Sequence, residues 1–463
     1  IINPKSNEPI IGEKKLIPID KWFFNNDFQN SNFYNQSVLL KFSDKISNRN
    51  VEKAMNRLIS YHDGLRLNYN SLDRTMFYNN SFLGKSFFVM EESIDDKDFV
   101  NEISRIKKNY GSQFNITDKL LIKAIVIRSE ESDYLMFIAH HLIIDGVSWR
   151  ILLDDFKNIY SSFKNEGKIY NLPSKSASLS EWSNSIYNLS KNPRILKQAD
   201  YWNKIENKEL KIPFDFHNKD FRTINLDFAS IEIGKEKTEY LSKYLYKTHN
   251  VTIEEFLLLV VTRCLKSWLQ QNEIIIYLES HGRDNEELDL SRTIGWFTNI
   301  YPVVIDLKDE NIENQIKNIN LSLTSVPDKG VGYGLLKYIH NEMHSKNKIS
   351  GVRFNYLGQY NDENNNDLFK YIVDSSFSDI SEENDLTTHI EIDSLIVNNK
   401  LKIIVKFNKI SFLNSTIENF KKEIERNINE IYRFLAGTNE KYFTTSHFET
   451  IELEEEDLDS LFE

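Results

Sequence analysis

Two adjacent histidines, His140 and His141, close an apolar run and lead into Leu142-Ile143-Ile144-Asp145-Gly146. An imidazole titrates near neutral pH and is the usual general base, and a strand exit can aim a side chain into a cleft. A bare His-His pair is more often structural. The Asp-Gly that follows and the strand–loop–helix setting shift the reading to chemistry, with His141 catalytic and His140 structural. Glu279 is the second candidate, because it ends the apolar stretch Glu273 to Leu278, where partial burial raises a carboxyl pKa. Taken alone it would read as an exposed strand end. His281 beside it fits either a structural or a ligand-facing role.

Other chemistries lack their residues. Cys264 is the only cysteine, and its apolar setting beside Phe256 to Val261 places it in a core. No HExxH, CxxC or GxSxG spacing is present, and no Walker or Rossmann phosphate loop appears. Ser148 reads as the cap of the helix after the histidine loop. Gly330, Gly332 and Gly334 alternate with Val331 and Tyr333, a spacing that predicts an extended loop. A net charge of −12 argues against a nucleic-acid surface, and much of it lies in a solvated tail from Glu452 to Asp459. With no signal peptide and no membrane-length apolar stretch, the expected compartment is the cytoplasm.

The elements that must position these residues follow from periodicity. A chain of 463 residues, 40% hydrophobic and 13% aromatic, exceeds one ordinary core and predicts two lobes. Ile1 to Lys15 reads as an entry linker. Val51, Ala54, Met55, Leu58 and Ile59 mark an amphipathic helix. Lys119 to Arg128 and Tyr134 to Ala139 are expected to pair as strands, and a helix with Leu152, Phe156, Ile159, Tyr160 and Phe163 inward follows the histidine loop. Asn165 to Ser180 is the best interlobe linker, dividing the chain into 1–175 and 176–463. Thr252 and Glu255 form a capping box for a helix through Leu269. Ile390 to Val397 and Leu401 to Phe407 make a hairpin around Asn398-Asn399, and Ser415 with Glu418 caps a last helix. Alternating strands and helices give an α/β or α+β class.

Read in order, these segments resemble the epimerisation domains of nonribosomal peptide synthetases, within the condensation-domain superfamily. Pro18-Ile19-Asp20-Lys21-Trp22-Phe23-Phe24 is similar to the family's PIQxWFF. His140 to Arg150 matches HHxxxDGVSWR, and Glu279-Ser280-His281-Gly282-Arg283-Asp284 is close to EGHGRE. Arg292 to Thr298, running on to Tyr301-Pro302, matches RTVGWFTxxYP. Pro327 to Gly334 is similar to PxKGxGYG, and Phe354 to Gln359 matches FNYLGQ. The departures are Asp20 for Gln, Ser280 for Gly and Asp284 for Glu. Ser280 puts the aim of Glu279 in question.

The resemblance implies two lobes like chloramphenicol acetyltransferase, arranged as a V-shaped pseudo-dimer with a central tunnel. It implies a monomeric domain, binding no cofactor of its own, whose substrate is an aminoacyl or peptidyl thioester on the 4'-phosphopantetheine of a peptidyl carrier protein. Adenylation and downstream condensation domains would be its neighbours, with no role for nucleic acid or membrane. Glu279 is assigned to deprotonate the L-centre and His141 to reprotonate it, although sequence does not fix the order. His140, Asn355 and Tyr356 are expected to support the site and stabilise the enolate. Asp145 is expected to pair with Arg292, with Arg66 a second cation near the histidine loop. Gly146, Ser148, Trp149, His281, Trp296 and Tyr333 fall within matched motifs of the tunnel. A condensation domain that joins two carrier-bound substrates through an amide is the nearest alternative, and an inert carrier-docking scaffold is a second. Glu279, the Gly-Trp-Phe run at 295–297 and Tyr333 favour epimerisation over the first, and the presence of both His141 and Glu279 argues against the second.

Overall fold

The computed structural model describes residues 8–164, 170–284, 287–343, 350–360, 368–372, 379–438 and 440–442. The acidic tail lies outside them, as do the first seven residues of the entry linker and the first five of the 165–180 segment. Two compact units form. The first takes in Ile1–Asn192, Ser280–Asn299 and Asp362–Asp385, and the second Pro193–Glu279, Ile300–Asn361 and Leu386–Glu463.

This differs from the expected single break after residue 175. The 170–178 stretch is irregular, as its composition predicts, yet Ala177 donates its N–H to the Asp289 carbonyl at 2.7 Å. Trp182, on the helix Leu179–Ser190, packs against Phe297 with ring centroids 6.0 Å apart. The chain therefore stays with the first unit through Asn192. Local periodicity cannot reveal that two later segments return to it.

In the first unit, one sheet runs in the order Phe369–Ile372, Asn35–Phe42, Asp133–His140, Ile122–Arg128 and Met90–Ser93, and a smaller one in the order Glu13–Lys14, Thr75–Tyr78 and Leu67–Asn70. Asp133–His140 is central and buried at every position, which explains its unbroken apolar run. It pairs antiparallel with both neighbours. The helix Asn48–Tyr61, capped by Ser47, packs on the helix Gly146–Lys164, whose Phe156 meets Phe137 of the central strand at 5.1 Å. The histidines thus sit where a rigid central strand ends and a long helix begins.

In the second unit the order is Asn299–Asp306, Glu273–Ser280, Ser350–Tyr360, Thr388–Val397, Lys400–Asn408 and Leu226–Ile233. The hairpin turns on Asn398 and Asn399, at φ of 51° and 60°, the left-handed pair that a two-residue turn demands. Ile253–Leu269 opens on the Thr252–Glu255 capping box and buries Cys264, whose thiol is pushed up by burial. Among the described residues, no helix is long and apolar enough to cross a membrane.

Two local expectations are corrected. The last helix is Asn414–Ala436, so Ser415 lies inside its first turn and is no cap; the N-cap position is Leu413. The 330–334 stretch is helical, not extended. Gly330 takes φ of 84° with the Tyr301 ring 2.2 Å from where a Cβ would stand, and Gly332 abuts Gln198. These glycines serve close packing, which alternation alone does not distinguish from an extended loop.

Candidate active site

Asp145 organises the histidine loop. Its carboxylate accepts the Ser148 N–H at 2.7 Å and so caps the helix Gly146–Lys164, of which Gly146 is the first residue. Ser148 is not the cap. Its hydroxyl donates to the Gly295 carbonyl at 2.8 Å and accepts the Gly295 N–H at 3.0 Å. Asp145 also accepts the Phe297 N–H at 3.1 Å. Its cationic partner is Arg283, with Nη2 at 3.0 Å from Oδ1 and at 2.9 Å from the Ser148 hydroxyl. The Arg283 guanidinium stacks over Phe297 at 3.9 Å and donates to the Leu290 and Thr293 carbonyls.

The expected Asp145–Arg292 pair is therefore corrected. Arg292 instead donates to Asp155 at 2.5 and 2.6 Å, and His62 completes that cluster at 2.8 Å. Arg66 is buried against Asp63, Asn80 and the Ile59 carbonyl. Both arginines follow a motif that names residues but not partners. Arg283 sat in a matched motif too, and its position two residues after His281 gave no sign that it turns toward the histidine loop. Gly282 makes that turn possible: it takes φ of 63°, and a Cβ there would stand 1.8 Å from the Phe297 carbonyl oxygen.

Holding Gly295 and Phe297 fixes Trp296 between them. Its indole is 3% exposed and stacks on the His141 imidazole, centroids 4.1 Å apart and planes 27° apart. Below the ring, His141 Nδ1 lies 2.8 Å from the Ile144 carbonyl oxygen, which can only accept, so Nδ1 carries a proton. His140 is fully buried. Its Nε2 donates to the Ser31 carbonyl at 2.8 Å, its Nδ1 accepts the Leu142 N–H at 3.2 Å, and burial pulls its pKa down to about 3. With both nitrogens committed it has no N–H left for an enolate, and its role is to hold the strand end. His281 is exposed and accepts the Arg283 N–H at 3.0 Å.

In the second unit Glu279 ends one chain of alternating charge. Arg353 Nε lies 3.2 Å from Glu279 and its Nη2 pairs with Glu391; Lys406 Nζ lies 2.6 Å from Glu391 and 2.6 Å from Asp393. Three carboxyls share two cations. Glu391, flanked by both, is held well below the carboxylate range, whereas burial raises the end members Glu279 and Asp393, each flanked by one. Burial pushes Glu279 up to about 7, assisted by Glu391 and Asp393 and opposed by Arg353. Its side chain is 19% exposed, so it is both desolvated and reachable. Asn355 donates to its other oxygen at 2.8 Å. Arg353 and Asn355 share one strand face, and Tyr356 alternates to the other.

Tyr333 is 2% exposed and donates to Glu206, while Lys337 donates to the Tyr333 hydroxyl at 2.7 Å. Burial raises its phenol far above 10, which makes it a packed strut of the second unit. A cavity of about 590 Å³ in the first unit is lined by Tyr61, His62, Asp63, Lys175 and Arg292 and does not take in His141. Sequence reasoning missed Gln36, which touches His141 from the neighbouring strand at 2.8 Å. A lone glutamine in a strand carries none.

Two predictions follow from these contacts. In thermal melts, Asp145→Ala should cost roughly 3–5 kcal/mol, because a buried guanidinium loses its counter-charge. Its cost should couple to that of Arg283→Ala by roughly 1–3 kcal/mol and be additive with Arg292→Ala. Glu279 has a folded pKa near 7 against an ordinary 4.5, so its contribution is most favourable below 4.5 and is lost as pH rises toward 7. Glu279→Gln should remove that slope and gain roughly 2 kcal/mol relative to the parent between about pH 4.5 and 8, read from melts across the range.

The condensation-domain family matches residues 12–454. Surfactin synthase subunit 2 of Bacillus subtilis (strain 168) is 30% identical over 98% of this chain, and gramicidin S synthase 1 of Brevibacillus brevis is 28% identical over 99% of it. The chain spans 13% of the first and 44% of the second. Among solved structures, the epimerization domain from the third module of tyrocidine synthetase B superposes with a TM-score of 0.86 at 26% identity, covering 94% of this chain and 99% of that one. The condensation domain of the monacolin K polyketide synthase superposes at 0.72 with 13% identity, covering 92% and 98%, and shows the shared fold alone. The mixed α/β, acetyltransferase-like fold expected from the sequence is the one these domains share. A match that runs almost end to end, on a chain built around this histidine loop, means that the protein belongs to the condensation-domain family.

Proposed function

We propose that this domain inverts the α-carbon of an aminoacyl or peptidyl thioester carried on the phosphopantetheine arm of a peptidyl carrier protein. Adenylation and condensation domains are the neighbours such a domain works with. The observation that carries the reading is the desolvated Glu279 carboxyl at the end of its charge chain, paired with Arg353 alone among that chain's cations and pushed up by burial to about 7. Amide formation between two carriers requires no second titrating carboxyl; inversion does. The high superposition on a tyrocidine synthetase epimerization domain supports the same reading.

The chemistry needs two groups. An α-hydrogen beside a thioester is weakly acidic; a base takes the proton, and the C–H electron pair moves onto the thioester carbonyl as an enolate. An acid then returns a proton to the opposite face of the carbon. His141 and Glu279 are the pair assigned to these roles. Between them they hold one transferable proton: the Glu279 carboxylate with the His141 imidazolium inverts the L-centre, and the protonated carboxyl with the neutral imidazole inverts the D-centre. The nearly thermoneutral reaction runs in both directions, so each group serves as base for one enantiomer. Asn355, its amide already against Glu279, is the donor we assign to the enolate oxygen.

The family match itself favours a second reading, amide bond formation using His141 alone. The two separate cleanly. A carrier loaded with L-aminoacyl thioester in deuterated water should lose its α-proton and yield the D-product, and His141→Ala and Glu279→Gln should each slow inversion at least about 100-fold with the fold intact. Amide formation with a second loaded carrier, without α-proton exchange, would overturn the proposal.

A further inference from the structure

Gln36 lies on the strand Asn35–Phe42, directly beside the histidine strand. Its amide bridges two aromatic side chains: the Trp149 indole Nε1 lies 2.9 Å from Gln36 Oε1, and Gln36 Nε2 lies 2.8 Å from His141 Nε2. An indole nitrogen only donates, so the amide oxygen must face Trp149 and the NH2 must face the imidazole. On the ring's other side, Nδ1–H donates to the Ile144 carbonyl at 2.8 Å. One direction of donation runs through the whole chain, from Trp149 to Gln36 to His141 to Ile144. Trp149 is 4% exposed, which holds the origin of that chain in place.

We propose that Gln36, anchored by Trp149, is a positioning residue that fixes which nitrogen of His141 bears the proton and presents Nε2 as the accepting one. The catalytic consequence rests on the inversion reading above; the tautomer assignment does not. The single lone pair of Nε2 is the one the Gln36 NH2 donates to, so the amide must give way before Nε2 takes a proton, and the N–H then formed faces that NH2, donor against donor. Gln36 can relieve this only by turning its oxygen inward, which breaks the bond to Trp149. The device therefore disfavours the imidazolium and presses His141 to give the proton back. A group that must act reversibly within each turnover benefits from that. Among the described residues, titratable groups near the ring include His140, whose nitrogens are both committed, and Tyr34, which stacks on His141 at 6.0 Å.

Gln36→Glu keeps the shape and replaces the donor by an acceptor. With histidine labelled with 15N, two-bond proton–nitrogen spectra of the parent at about pH 8 should show His141 protonated on Nδ1 only. Gln36→Glu should show Nε2 protonated as well, with kcat for inversion down at least about tenfold and KM for the loaded carrier within about twofold. Trp149→Phe, which keeps the packing and removes the anchor, should give mixed tautomers and a smaller loss in kcat. An unchanged His141 spectrum in both variants would overturn the proposal, as would a switched spectrum with an undiminished rate. If the spectrum switches while the parent protein exchanges no α-proton at all, the positioning role stands and the inversion reading falls.

Discussion

The buried pair of Asp145 and Arg283 is the constraint on which the first unit's site depends. Asp145 uses its two oxygens to cap a helix, to hold the Phe297 N–H and to neutralise a guanidinium. Each bond ties a different segment to the histidine loop. Removing the charge therefore does more than leave a cation unpaired in a medium that solvates it poorly. It releases the residues on either side of Trp296, and with them the aromatic wall against which the His141 ring is held. The His141 ring is positioned by a residue that never touches it.

The second unit solves a different problem with the same currency. A carboxyl is held above its ordinary pKa when it is largely desolvated and incompletely paired. Placing Glu279 at the end of an acid–base–acid–base–acid chain gives it one cation where Glu391 has two, and burial does the rest. As pH rises from about 4.5 to 7 this arrangement progressively costs stability, and the full cost remains above 7, as for any carboxyl held above its ordinary value.

Much of this was legible in the residues. The paired strands, the Thr252 capping box and the Asn398-Asn399 turn follow from local chemistry, and the structure has each of them. That His141 and Glu279 stand at strand ends follows from the apolar runs that precede them. What stayed hidden was pairing at a distance. Asp145 could have met Arg292, Arg66 or Arg283 on composition alone, and only the turn at Gly282 brings the third within reach. The boundary after Asn192 and the return of 280–299 to the first unit are likewise properties of topology, which no window of sequence contains. Gln36 was invisible because its role lies in the direction of a hydrogen bond.

The central claim is that two different groups serve the two faces of one carbon. It is tested most directly by following α-proton exchange in deuterated water separately from carrier-bound L- and D-aminoacyl thioesters, for His141→Ala and Glu279→Gln. The account predicts that each variant still exchanges the proton of one enantiomer, a different one for each, while neither inverts the centre. Exchange lost from both enantiomers in one variant and untouched in the other would contradict it, since a single residue would then be doing all the proton transfer.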